Sequence, residues 1–131
     1  MFVDASAIVA ILAREPEADE LRARLEAAPQ RATSALAVYE ATLAIARTHG
    51  WTVIEAELFV SRFLAMTEIV HIAIGEREGA IALEAFHRFG KGRHPAGLNM
   101  GDCFAYACAR QLGVPLLYKG DDFSRTDIEA G

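Results

Sequence analysis

Four short strand-like runs, each set apart from the next by a segment with helical periodicity, constrain this chain more than any other feature. They are "MFV" at the start, "QRATSA" near residue 32, "EIVHIAI" near residue 70 and "VPLLYKG" near residue 116. The segment "ASAIVAILARE" has apolar residues at Ile8, Ile11 and Leu12, and "EPEADELRARLEAA" has Leu21 and Leu25 one turn apart. Both spacings belong to a helix face rather than to alternating strand positions. Successive strands separated by helices pair in parallel through crossovers, because hairpin turns are not available to them. The alternation therefore predicts an α/β class fold, a three-layer α/β/α sandwich with a mainly parallel central sheet.

Helix ends agree with this reading. Pro16 and the acids after it mark a first turn, Ser34 can cap the segment "ALAVYEATLAIARTH", and Gly50 and Gly113 stand where helices should stop. At 131 residues the chain fits a single domain over 1–131 with a real core. No stretch approaches the ~20 apolar residues of a membrane span. The start lacks the basic leader and small-residue cleavage site of a signal peptide, so a cytoplasmic protein is expected. Cys103 and Cys108 are five apart in one helix, which argues against both a disulfide and a zinc pair.

The formal charge of −5 excludes a protein coated in positive charge for tight nucleic-acid binding. A local strip remains, since "FHRFGKGRH" holds Arg88, Lys91 and Arg93 with no acid between Glu84 and Asp102. His71, in a strand, is expected to be a hydrogen-bonded core residue, and His94 a loop residue.

The acids carry the chemistry. From Ala35 to Ala46 the only charged residue is Glu40, and its helical neighbours Leu36, Ala37, Leu43 and Ala44 offer no partner. An unpaired carboxylate in such surroundings costs several kcal/mol or takes up a proton, so partners should come from elsewhere in the chain. Asp4 ends the first strand, where it either caps the next helix or leaves that to Ser6 and points outward. Asp102 opens a helix, and Asp121 and Asp122 follow the last strand. Ligands bind beyond the carboxyl ends of strands in open parallel sheets. Carboxylates gathered there repel one another unless a cation is present, and all-oxygen donors without a Cys or His cluster favour Mg²⁺ or Mn²⁺.

"MFVDASAIVAIL", Glu40 in its apolar helix, "AGLNMGDCFAYACA" and "PLLYKGDDFSRTDI", in this order and spacing, resemble the PIN-domain ribonucleases, and among them the VapC-like toxins of type II toxin–antitoxin pairs. The resemblance spans nearly the whole chain. It implies a metal-dependent endoribonuclease, a homodimer, held inactive by a cognate VapB-like antitoxin. It maps the family's acids onto Asp4, Glu40, Asp102 and Asp121, with Asp122 the alternative for the fourth. Asp4 and Asp102 would be the metal ligands, Glu40 would act through water, and Ser6 would support Asp4. Lys91 and Arg93 then become candidates for holding RNA.

Three other readings compete. A phosphatase using Asp4 as nucleophile needs a second Asp two residues on, where this chain has Ser6. A receiver domain needs a phosphoacceptor Asp at a mid-chain strand end, and no Asp lies between Asp19 and Asp102. The third is a PIN-fold RNA- or protein-binding module without activity, against which the intact acid set stands.

Overall fold

The structure is a computed structural model describing Met1–Gly131. In chain order the elements are β1 (Phe2–Val3), α1 (Ala5–Leu12), α2 (Ala18–Ala27), β2 (Ala32–Ser34), α3 (Ala35–His49) and α4 (Val53–Met66). There follow β3 (Val70–Ile72), α5 (Glu76–Phe89), α6 (Met100–Leu112), β4 (Leu116–Leu117) and a 3₁₀ turn at Phe123–Arg125. The strands form one sheet in the order β3-β2-β1-β4, with every pair parallel. Phe2 lies between Ala32 and Leu116, so β1 is a central strand.

Each strand contributes two or three residues, yet their alternation divides the core. Phe2 and Leu116 point into a cluster built with Ala82, Ala85 and Phe89 of α5 and with α6. Val3 and Leu117 point the other way, onto Ile8 and Ile11 of α1, Leu21 and Leu25 of α2, Ile45 of α3 and Val60 of α4. All four strand residues are fully buried. Burial of a side chain of this size is worth about 1.5–3 kcal/mol, so even two-residue strands are firmly held. Six helices thus cover two faces, and the α/β/α sandwich follows from period-two alternation in the middle layer.

Helix boundaries follow local chemistry. Ser34 caps α3 by accepting the Ala37 N–H at 3.1 Å, and Gly50 closes it at φ 65°, the left-handed conformation that favours glycine. Gly113 closes α6 in the same way. The start of α6 lies two residues earlier than the run "DCFAYACARQLG" suggests. Asn99 is its cap, exchanging bonds with Asp102 in a capping box, so Gly101 and Asp102 belong to the first turn. Both cysteines are free and buried in the packed middle of α6.

One expectation fails. His71 is exposed: β3 ends the sheet with only Ile72 partly buried, whereas β4 at the other end has both leucines buried.

The topology also locates a crevice. From β1 the chain steps outward to β2 and β3 with α1 to α4 on one face. It then returns across the other face through α5 and α6 to β4, on the far side of β1. The direction of winding reverses between β1 and β4, and beyond their carboxyl ends lie Asp4 and Lys119.

Candidate active site

At that switch point a cleft of about 510 Å³ is lined by Asp4, Ser6, Glu40 and Asp102 among others. A cleft of equal volume at the amino ends of the strands, between Met1, Arg31, Val70 and Leu112, contains a single acid, Glu68. Of the two, only the first gathers several acids.

Asp4 is 4% exposed. It both ends β1 and caps α1, so the alternative of Ser6 as the cap does not hold. Its Oδ2 accepts the Ser6 backbone N–H at 2.9 Å and the Ser6 hydroxyl at 2.6 Å. Ser6 Oγ in turn accepts the Lys119 backbone N–H at 3.0 Å, which ties the ends of β1 and β4 together. These two bonds fix the carboxylate's orientation through Oδ2, and the Ala5 N–H adds to them. Asp4 lines the cleft.

Asp102 is held in a similar way. Its Oδ2 accepts the Asn99 N–H at 3.0 Å, and the Asn99 side chain accepts the Asp102 N–H at 2.9 Å. Glu40 reaches in from α3, and its carboxyl group rests directly over Gly101. A Cβ at Gly101 would overlap both Glu40 carboxylate oxygens. Glycine in a helix costs about 0.5–1 kcal/mol relative to alanine, and here the missing side chain is the space in which Glu40 sits.

The electrostatics are those of crowded acids. Burial raises the pKa of Asp4, opposed by its Ser6 bonds. Burial likewise pushes Asp102 up to about 6, opposed by the Asn99 N–H and assisted by the charges of Asp4 and Asp122. Glu40 is pushed up to about 7, by burial first and then by Asp4 and Asp102. The donors are all oxygen, and the space over Gly101 is shaped to a carboxylate, which suits a hard divalent cation. No three acid, histidine or cysteine side chains converge tightly enough to hold an ion by themselves. An ion held here keeps several waters, as Mg²⁺ habitually does.

The structure brings Asp4, Glu40, Asp102 and Ser6 together and leaves the other candidates outside. Neither Asp121 nor Asp122 lines the cleft, and the Asp121 carbonyl accepts the Ser124 hydroxyl at 2.6 Å. Of the adjacent pair it is Asp122 whose charge acts on Asp102. Lys91 and Arg93 lie in the exposed loop between α5 and α6, away from the cleft lining. Arg88 is engaged elsewhere, paired with Asp127 at 2.8 Å, and the Tyr106 hydroxyl donates to the same carboxylate at 2.7 Å. His94 is a loop residue as expected, its Nδ1 accepting the Ala96 N–H at 3.1 Å.

Gly101 and Asn99 escape a reading of the sequence as loop residues before a helix. The available signal was a glycine immediately ahead of an acid in a first turn. It yields a prediction: Gly101→Ala stays folded, because Glu40 is flexible enough to move, but the displaced carboxyl group leaves the burial and the neighbouring acids that raise its pKa, so that pKa falls. An unchanged Glu40 titration in the variant, followed by carbonyl NMR, would contradict the role given to this space.

The fold and the acid-lined switch point define a class, and comparison with known proteins agrees. The family model of the PIN domain matches residues 1–129, and the chain belongs to the PIN-domain family. Its relatives include VapC ribonuclease R02377 of Rhizobium meliloti (strain 1021), 42% identical over 97% of this chain and 98% of that one. Ribonuclease VapC30 of Mycobacterium tuberculosis (strain ATCC 25618 / H37Rv) is 41% identical over 98% of this chain and 95% of its own. The crystal structure of Mycobacterium tuberculosis VapC20, a Sarcin-Ricin loop cleaving toxin, superposes with a TM-score of 0.76 over 97% of this chain and 95% of that one. At 20% identity it supports the fold alone.

Proposed function

We propose that the chain is a divalent-metal-dependent endoribonuclease toxin of a toxin–antitoxin pair, acting in the cytoplasm as a homodimer and neutralised by a cognate VapB-like antitoxin. The observation that carries this reading is the convergence of Asp4, Glu40 and Asp102 in one cleft at the switch point, in a chain whose relatives are named VapC ribonucleases.

Asp4 and Asp102 are the residues to hold Mg²⁺ or Mn²⁺, each oriented by its local donors. The fourth acid, expected at Asp121 with Asp122 as the alternative, comes from the turn after β4, from which the charge of Asp122 reaches Asp102. A bound divalent cation supplies Lewis acidity and charge neutralisation at a phosphodiester oxygen.

The chain's own groups do the rest. Glu40, with a pKa raised towards neutrality, orients the attacking water and takes its proton at a carboxylate oxygen. Ser6 keeps Asp4 in one rotamer, and the capping box keeps Asp102 in another. Gly101 leaves Glu40 room to approach.

The test is brief expression in cells, followed by sequencing the 5′ ends of cellular RNA, with Asp4→Ala as control. Discrete new ends with the wild type and none with the variant are expected, together with growth arrest by the wild type alone. Arrest by a well-folded Asp4→Ala protein would contradict the reading.

A further inference from the structure

The cleft contains two cations, and neither is consumed by the acids at its centre. Arg47 lies two turns along α3 from Glu40, and Lys119 follows β4. Both line the cleft. Neither forms an ion pair with Asp4, Glu40 or Asp102. The two therefore stand off from the carboxylates rather than pairing with them.

Their situations differ. Arg47 is exposed and makes no ion pair anywhere in the chain. The Lys119 ammonium is held by Glu15 and lies 3.8 Å from Glu17. Glu15 also lines the cleft, so this pair sits at its rim. The Lys119 backbone is fixed separately by the bond to Ser6, which leaves the side chain free to exchange partners without disturbing Asp4.

A polyanion approaching an acid-lined cleft in a chain of net charge −5 meets repulsion beyond the reach of one divalent ion. Phosphates on either side of the reacting one need counter-charges that the central acids do not neutralise. An unpaired guanidinium suits this, since its donor fork matches phosphate oxygens.

Resting on the ribonuclease reading, we propose that Arg47 and Lys119 grip the backbone phosphates flanking the cleaved bond of a single-stranded RNA segment. Arg47 is available at all times, and Lys119 becomes available by exchanging Glu15 for phosphate. The loop cations Lys91 and Arg93 are then peripheral to the reacting segment.

Fluorescence anisotropy tests this with a labelled single-stranded RNA spanning a site the wild type cuts, in the non-cleaving Glu40→Gln background, which keeps Asp4 and Asp102, with Mg²⁺. Arg47→Ala should weaken binding about tenfold, as expected for loss of a charged hydrogen-bonding partner. It should also make the log–log salt dependence shallower by about 0.7, the single-strand value for one cation. Arg47→Lys, which keeps the charge, should recover most of that slope. Glu15→Gln should tighten binding by roughly threefold, the scale of a surface ion pair no longer competing for Lys119. The gain should vanish in Glu15→Gln combined with Lys119→Ala, whereas simple relief of charge repulsion by Glu15→Gln would persist there.

Unchanged affinity and slope for Arg47→Ala, with a wild type that cuts RNA, would overturn the proposal and leave the ribonuclease reading standing. So would a loss of slope on Lys91→Ala and Arg93→Ala but not on Arg47→Ala. Weaker or equal binding by Glu15→Gln would overturn the part given to Lys119. A wild type that cuts no RNA brings down the ribonuclease reading and this inference with it.

Discussion

Asp4→Asn is expected to lower RNA cleavage by at least about 100-fold, since even partners of metal ligands cost 10–100-fold when removed. The fold should survive intact. Asparagine caps a helix as well as aspartate does, so α1 keeps its start. The substitution also removes a buried carboxylate whose burial raises its pKa. A raised pKa means stability that is full at low pH and declines as the group ionises on folding's side of the balance. Metal-free Asp4→Asn should therefore be at least as stable as the wild type at pH 8. Cleavage of a labelled RNA and thermal melting, measured on the same preparation, check both halves. An active variant, or one that is inactive because it melts early, would remove the argument for Asp4 as a ligand.

Glu40→Gln should also lose cleavage, by about 100-fold or more, the usual contribution of a positioned acid–base group. Its effect on stability has a definite pH signature. The folded pKa of about 7 lies above the ordinary value of 4.5. Between these values the folded protein binds the proton and the unfolded chain does not, so stability falls as pH rises through that window. Below it the contribution is fully present, and above it the contribution is gone. Full conversion of the shift would give more than 3 kcal/mol, but a half-buried carboxylate is screened by solvent, and about 1 kcal/mol is the reasonable scale. Metal-free Glu40→Gln should thus exceed the wild type by about that amount at pH 8 and match it near pH 4.5. Urea denaturation at the two pH values measures the difference. Parallel pH dependences in the two proteins would mean that Glu40 is not under the repulsion ascribed to it.

The strand and helix alternation was readable because the two elements have different apolar periods, and helix ends were readable where a residue type is needed for its conformation. Ser34, Gly50 and Gly113 are of that kind. Glu40 was readable as an anomaly, since no helical neighbour could pair with it. What the chain order does not encode is which strand becomes an edge. His71 reads as a core residue in a β-branched run and is exposed, because β3 ends the sheet with little covering it, whereas β4 at the opposite end is buried. The first turn of α6 was likewise hidden. Asn99 and Gly101 resemble the end of a glycine-rich loop until Glu40, distant in sequence, is placed over Gly101. The choice between Asp121 and Asp122 depends on a turn whose course after β4 local sequence leaves open. Arg47 could have been found, since positions 40, 44 and 47 share one face of a helix.

Three carboxylates from β1, α3 and α6 forming one divalent-cation site is the claim on which the remainder depends. Calorimetric titration of Mn²⁺ into the protein at pH 8, wild type beside Asp4→Asn and Asp102→Asn, tests it most directly. Saturable binding by the wild type and its loss in both variants is the predicted result. Equal binding by all three proteins would contradict it.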